Sequence, residues 1–185
     1  MTVTLPQLIA STGAREDRAR AALDGINAAM EQYGIDTPAR IGMFLANVGH
    51  ETGGLKWLQE IWGPTSAQLR YEGRQDLGNT KPGDGKRFMG RGMFQTTGRA
   101  NYRRLTERLR ARLPQAEVPD FEATPELLAL PAWAALSAAD YVDMRGLNRF
   151  ADRGAFLDYV KGVNGGTNGL EDRMRLWAAA QRVLA

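Results

Sequence analysis

The chain has 185 residues, 43% hydrophobic and 24% charged, which is enough apolar content for one folded domain with a real core and too much for a disordered chain. It has no cysteine, which excludes disulfides and thiolate metal sites, and its single histidine, His50, argues against a His-based zinc site. Net charge is +3, but 12 Lys/Arg against 4 Asp/Glu fall between Leu69 and Leu113, so an acidic partner or a solvated arginine-rich face is expected there.

The N-terminal segment "MTVTLPQLIASTGAREDRARAAL" lacks a basic region followed by a long apolar run, so it reads as a folded start and not as a secretory signal. No window carries the roughly 18 uninterrupted apolar residues of a membrane span. The spacing of Ala19, Ala22, Leu23, Ile26, Met30 and Tyr33 predicts a helix over about Ala14 to Tyr33, stopped by Gly34. A second helix should start with Thr37 as N-cap and Pro38 at the first helical position. Its face of Ile41, Phe44, Leu45 and Val48 leads to His50 and Glu51, and Gly53 and Gly54 can end it through a left-handed residue.

From Trp62 to Met93 regularity falls away, with only a short helix suggested near Ser66–Arg70. A loop of this length is functional or disordered, and the interleaved Trp62, Tyr71 and Phe88 argue for order, so it is expected to wall a groove. Helical patterns resume over Arg99–Leu113, Pro125–Leu130, Pro131–Arg145 and Gly154–Val163. A C-terminal helix is predicted with Leu170, Met174, Trp177, Gln181 and Leu184 facing inward. No long period-2 run appears. The fold expected is mainly α, with one long irregular region in which a short hairpin is the only β structure expected. No internal repeat or low-complexity linker marks a second module.

The segment "GHETGGLKWLQE", residues 49 to 60, sets two carboxylates around a glycine break. Glycoside hydrolysis needs such a pair: a protonated acid for the leaving oxygen and an ionised partner that activates water or attacks carbon. Glu51, at the end of an apolar helix, is expected in a desolvated setting. On one continuous helix Glu60 would lie about 13.5 Å further along the axis, so a turn at Gly53–Gly54 is needed to bring it to the opposite wall. Glu is common and usually solvated, so the pair alone is a weak signal. His50 reads as a core residue, a hydrogen-bonding partner or a catalytic group.

Three segments together are more specific. "GHETGGLKWLQE" resembles the catalytic segment of glycoside hydrolase family 19, the chitinases and their bacteriophage endolysin relatives. "GRGMFQTTGRANY", residues 90 to 102, and "VNGGTNGLEDR", residues 163 to 173, resemble that family's later motifs, in the same order, and the resemblance runs from about Thr37 to the C-terminus. The compact form is most similar to the phage and prophage endolysin branch, and the resemblance implies a lysozyme-like α-helical domain, a single catalytic domain over 1–185 with no separate wall-binding module, whose irregular region lines a substrate cleft. The resemblance implies Glu51 as general acid, Glu60 as general base and Thr97 as the residue that holds the attacking water. It implies substrate contacts from His50, Gln95, Tyr102, Asn164 and Arg173, inversion in a single displacement, and no metal or other cofactor. Glu72 is a rival base, because plant members carry theirs further along.

Each residue also has a plain structural reading. Thr97 could cap the helix that follows, Gln95 could satisfy buried backbone, and Asn164 could be a turn residue. Arg173 could pair with Asp172 or Glu171 on a solvated face, and Gly90 and Gly92 could serve only a tight backbone path. The function expected is an endolysin that cuts β-1,4 bonds between amino sugars of peptidoglycan, with chitin as the other substrate. A non-catalytic wall-binding protein and a nucleic-acid binder are the remaining alternatives. A monomer made in a host cytoplasm, acting on the wall once the membrane is permeabilised, with peptidoglycan strands as partner and neither specific nucleic acid nor membrane insertion, completes the expectation.

Overall fold

The computed structural model describes residues 1–185 and contains ten α-helices. They are α1 (Leu5–Thr12), α2 (Glu16–Gln32), α3 (Pro38–Thr52), α4 (Ser66–Leu69), α5 (Asp84–Arg87), α6 (Arg99–Arg112), α7 (Pro131–Met144), α8 (Asn148–Ala151), α9 (Phe156–Asn164) and α10 (Leu170–Leu184). Short 3₁₀ turns cover Gln75–Leu77 and Pro125–Ala129. The long irregular region holds no regular strand, and its one hairpin-like closure is the pair Arg91 and Thr96, whose amides each donate to the other's carbonyl, at 3.1 and 2.7 Å. It has two isolated antiparallel bridges, Gln59 to Arg91 and Arg91 to Thr96, because its backbone groups are drawn into turns and side-chain contacts. No helix is long and apolar enough to cross a membrane.

Helix α3 is the centre of the domain. Ile41 and the run from Met43 to Val48, apart from the satisfied amide of Asn47, are fully buried apolar residues or alanine. Helix α3 packs on α1 and most extensively on α10, while α2 packs on α7. At Gly49 a Cβ would fall 2.5 Å from the Thr12 carbonyl oxygen, so the absence of a side chain lets α1 and α3 touch backbone to backbone. Thr37 caps α3 by accepting from the Arg40 amide, with Pro38 at the first turn, as the sequence suggests.

Helix α1 is an element the helical spacing did not single out. Thr4 and Gln7 form a reciprocal capping box ahead of it, and Pro6 sits in its first turn. In α10 the inward line is Arg173, Leu176, Ala180 and Leu184. This corrects the expected line: Met174 and Gln181 face solvent, and Trp177 is half-buried, stacked on Phe156 at 4.4 Å between ring centroids. The phase differs because an arginine occupies a core position.

Candidate active site

The chain leaves α3 through three consecutive left-handed residues, Gly53, Gly54 and Leu55, with φ of 57°, 69° and 58°. Two glycines make most of this turn cheap, and burial of the Leu55 side chain offsets its own strained backbone. The amides of Lys56 and Trp57 then return to the Thr52 carbonyl at 3.0 and 2.9 Å. The chain is thereby turned out of α3 at the glycine break. Beyond it the strand-like segment to Glu60 lies along the "GRG" segment: Gly92 N–H donates to Leu58 O at 2.9 Å, and Glu60 N–H to Gly90 O at 2.8 Å.

Glu60 is held from three sides. Its Oε2 accepts from Gly90 N–H at 3.0 Å, and its Oε1 accepts from Gln68 Nε2 at 3.0 Å and Tyr71 Oη at 3.4 Å. Burial, with the Glu60 carboxylate beside it, pushes the Tyr71 phenol above its usual range. The irregular region therefore does wall this carboxylate. A Cβ on Gly90 would lie 2.6 Å from Gln95 Oε1 and 3.3 Å from Thr97 Oγ1, so Glu60, Gly90, Gln95 and Thr97 form one cluster. Gln95 has φ 53°, in the left-handed region, and its side-chain amide donates to Gly92 O at 2.8 Å. Thr97 is not a helix cap: Gly98 occupies that position, and Thr97 Oγ1 donates to Gln95 O at 3.0 Å.

Glu51 belongs to a second cluster. Its side chain is 24% exposed, and Oε1 accepts from Arg173 Nη2. The apolar setting expected for Glu51 is thus corrected to an ion pair. Arg173 is 2% exposed and also donates to Asn47 Oδ1 at 2.6 Å and Asn168 O at 3.2 Å. It cannot touch substrate and instead positions Glu51, in place of the expected surface pairing with Asp172 or Glu171. Asp172 turns the other way. It accepts from His50 Nδ1 at 2.8 Å and from Arg175, and these contacts, the histidine's first, hold its carboxyl below the usual range. A Cβ on Gly169 would sit 2.1 Å from His50 Nε2, so the imidazole is wedged against that loop. Asn164 closes the same loop, donating to Asn168 O at 3.0 Å and accepting from Gly166 N–H at 2.8 Å.

Two further expectations change. Tyr102 is fully buried; its hydroxyl donates to Met89 O at 2.6 Å and accepts from Arg91 Nη1 at 3.1 Å, so it braces the segment below Gly90 and does not meet substrate. Burial pushes its phenol up to about 12. Glu72, the rival base, accepts from the amides of Gly83 at 2.6 Å and Gly85 at 2.8 Å, which makes it an anchor for the start of α5 and removes it from the Glu60 cluster. Asn47 and Asn168 were not singled out in the sequence, and Asp172 was named only as a possible surface partner of Arg173. Asn47 carried a signal, a polar residue four before Glu51 inside an apolar helix run.

Much of the basic stretch is internally paired. Arg99 binds Asp84 and Glu122, Arg108 binds Asp140, Arg91 binds Gln59 Oε1 and the Arg87 carbonyl, and Arg112 donates to the Gln32 carbonyl.

A helical scaffold with one carboxylate at the end of its central helix and a second in the loop wall beyond it has the lysozyme-like glycoside hydrolase architecture. No protein-family model matches the sequence. Over 181 residues the chain is 25% identical to a glycosyl hydrolase family 19 domain-containing protein of Haemophilus influenzae, covering 83% of this chain and 84% of that one. Its fold matches the crystal structure of chitinase C from Streptomyces griseus with a TM-score of 0.74 at 20% identity, over 98% of this chain and 76% of that one. A bacterial family 19 chitinase superposes with a TM-score of 0.76 at 21% identity, over 100% of this chain and 96% of that one. The chain is similar in sequence to a glycosyl hydrolase family 19 domain and has the mainly helical, chitinase-like fold of these solved structures.

Proposed function

We propose that this chain hydrolyses β-1,4 bonds between amino sugars of bacterial peptidoglycan in a single inverting displacement, with Glu51 as acid and Glu60 as base. The observation that carries the reading is the separate fixing of the two carboxylates. Arg173 engages Oε1 of Glu51 and leaves Oε2 without a protein partner, so Oε2 carries the proton to the leaving glycosidic oxygen. Oε1 of Glu60 already accepts two hydrogen bonds, whereas Oε2 accepts one and keeps a lone pair for a water. Thr97 spends its hydroxyl proton on Gln95 O, so its oxygen accepts from that water and helps aim it. The water oxygen attacks the anomeric carbon, Glu60 takes its proton, and the cleaved oxygen takes the proton of Glu51.

In this reading the protein is an endolysin. It is made in a host cytoplasm and meets the wall after a separate agent permeabilises the membrane. Chitin is the second reading, favoured by the two bacterial chitinases that share the fold. Turbidity loss of outer-membrane-permeabilised Gram-negative cells, wild type against Glu51→Gln, tests hydrolysis of the wall. Reducing-end analysis of digested peptidoglycan then identifies the bond. Cells left intact by the wild type, with N-acetylglucosamine oligomers cleaved, would establish the chitinase reading instead.

A further inference from the structure

We infer that Arg104 recognises a carboxylate borne on the 3-O substituent of a muramyl sugar, and so biases the active site toward peptidoglycan over uncharged amino-sugar polymers. The inference rests on the peptidoglycan reading above. A cavity of about 310 Å³ opens beside the Glu60 cluster and shares Gln95 and Thr97 with it. That is the low end of the range for small-molecule sites, and its mixed lining suits a sugar: Asn101 offers polar contact, and Tyr141 and Met144 offer apolar surface. Asn101 donates to Thr97 O at 2.7 Å, which leaves its Oδ1 free to accept from a hydroxyl.

Charge distinguishes this cavity. Three charged side chains line it: Arg104, Arg108 and Asp140. Asp140 is 6% exposed at its side chain and accepts from Arg108 at 2.6, 2.9 and 3.1 Å, so these two cancel. Arg104 forms neither an ion pair nor a hydrogen bond, although Arg91, Arg99, Arg108 and Arg112 nearby in sequence are all tied down. An exposed guanidinium over a cavity contiguous with the catalytic cluster is a bidentate donor for a carboxylate. N-acetylglucosamine has none to offer. A muramyl sugar does, as the free lactyl group of stem-stripped glycan or through the acidic residues of an attached stem peptide.

The test measures kcat/KM on stem-stripped glycan, on intact peptidoglycan, and on each after its carboxylates are amidated with methylamine. Wild type should prefer the carboxylated member of a pair. Arg104→Gln should lower that preference ratio about tenfold or more, the scale of one hydrogen bond to a charged group, with the change in KM. Arg104→Lys should restore part of it. Arg103→Gln, an equal charge change on the same helix outside the cavity, should keep the wild-type ratio. A preference seen in stripped glycan assigns the lactyl carboxylate, and one seen only in intact peptidoglycan assigns the stem. Muramyl glycan cleaved with a ratio that Arg104→Gln leaves unaltered, or that Arg103→Gln lowers equally, overturns this inference alone. A wild type that cuts N-acetylglucosamine oligomers and no muramyl glycan overturns the peptidoglycan reading with it.

Discussion

Glu51→Gln separates chemistry from architecture at the central residue of the site. The amide keeps the carboxyl shape and still offers Arg173 an acceptor, but it cannot deliver a proton. Loss of general acid catalysis should lower kcat about 10² to 10⁴-fold. The substitution also has a structural cost. Arg173 is 2% exposed, and Glu51 is its only acidic partner; Asn47 Oδ1 and Asn168 O are neutral. Removing one member of a fully buried pair costs about 3–5 kcal/mol. Here the acceptor is kept and Glu51 is 24% exposed, so about 1–3 kcal/mol is expected. At about 2–4 °C per kcal/mol for a chain of this size, Tm should fall by roughly 2–12 °C. Activity must therefore be assayed well below the variant's transition. A cycle with Arg173→Met should show a coupling of about 1 kcal/mol or more between the two positions. A folded Glu51→Gln protein with activity within about threefold of wild type would refute the acid assignment. Additive stability effects in the cycle would refute the pairing argument.

Glu60→Gln should lose about 10²-fold or more in kcat, while Glu72→Gln should stay active and lose about 1–2 kcal/mol of urea stability, because Glu72 anchors two amides; the reverse order of kinetic losses would make Glu72 the base. Tyr102→Phe should destabilise by about 1–3 kcal/mol and leave KM for glycan near wild type, and a large rise in KM on thermally intact protein would restore a substrate role. Arg99, foremost among the causes, holds the Asp84 carboxyl below its ordinary range, so the stabilisation it gives is complete above the unfolded value near about 3.9 and is lost as pH falls through the lower folded value. Asp84→Asn should flatten the acid limb of the urea midpoint against pH, and an unaltered limb would exclude this pair as its source. Salt should slow lysis of permeabilised cells more than hydrolysis of a neutral oligomer, since screening lengths fall from about 10 Å at 0.1 M to about 3 Å at 1 M; equal sensitivity would leave the basic stretch a structural feature. Reversing Arg103 alone is the clean probe of that effect. Arg108 holds buried Asp140, and reversal there would unfold what it is meant to test.

The helices were legible in the sequence where local chemistry and tertiary packing agree. Thr37, Pro38 and Gly53 mark the ends of α3, and the C-terminal pattern marks the presence of α10. Helix α1 also carries a local signature, Thr4 with Gln7 three residues on and Pro6 between, yet its apolar face is too short for periodicity to reveal. The rotation of α10 is different in kind. An arginine on an otherwise amphipathic helix is assigned to solvent by any local rule, and only the acceptors supplied by Glu51 and Asn47, more than 120 residues away in sequence, reverse that assignment.

The same physics explains which candidate site residues the motifs bring together. Motif spacing located the Glu51, Glu60, Gln95 and Thr97 positions, because a glycine turn and a "GRG" segment are backbone instructions written locally. It did not separate side chains left open to the cleft wall from those whose polar atoms are already committed to protein partners. Tyr102 and Arg173 sit in the motifs, yet both are buried and spend their polar atoms on protein groups. Burial depends on which remote surface covers a side chain, and no spacing encodes that. The reverse holds at Arg104. It lies within the second motif's helix among six arginines of α6 and is distinguished from Arg99, Arg108, Arg110 and Arg112 only by what they bind and it does not. In a chain this rich in arginine, an unspent guanidinium at the edge of a cavity is the informative one, and Arg103, equally unspent but outside that cavity, is its natural control.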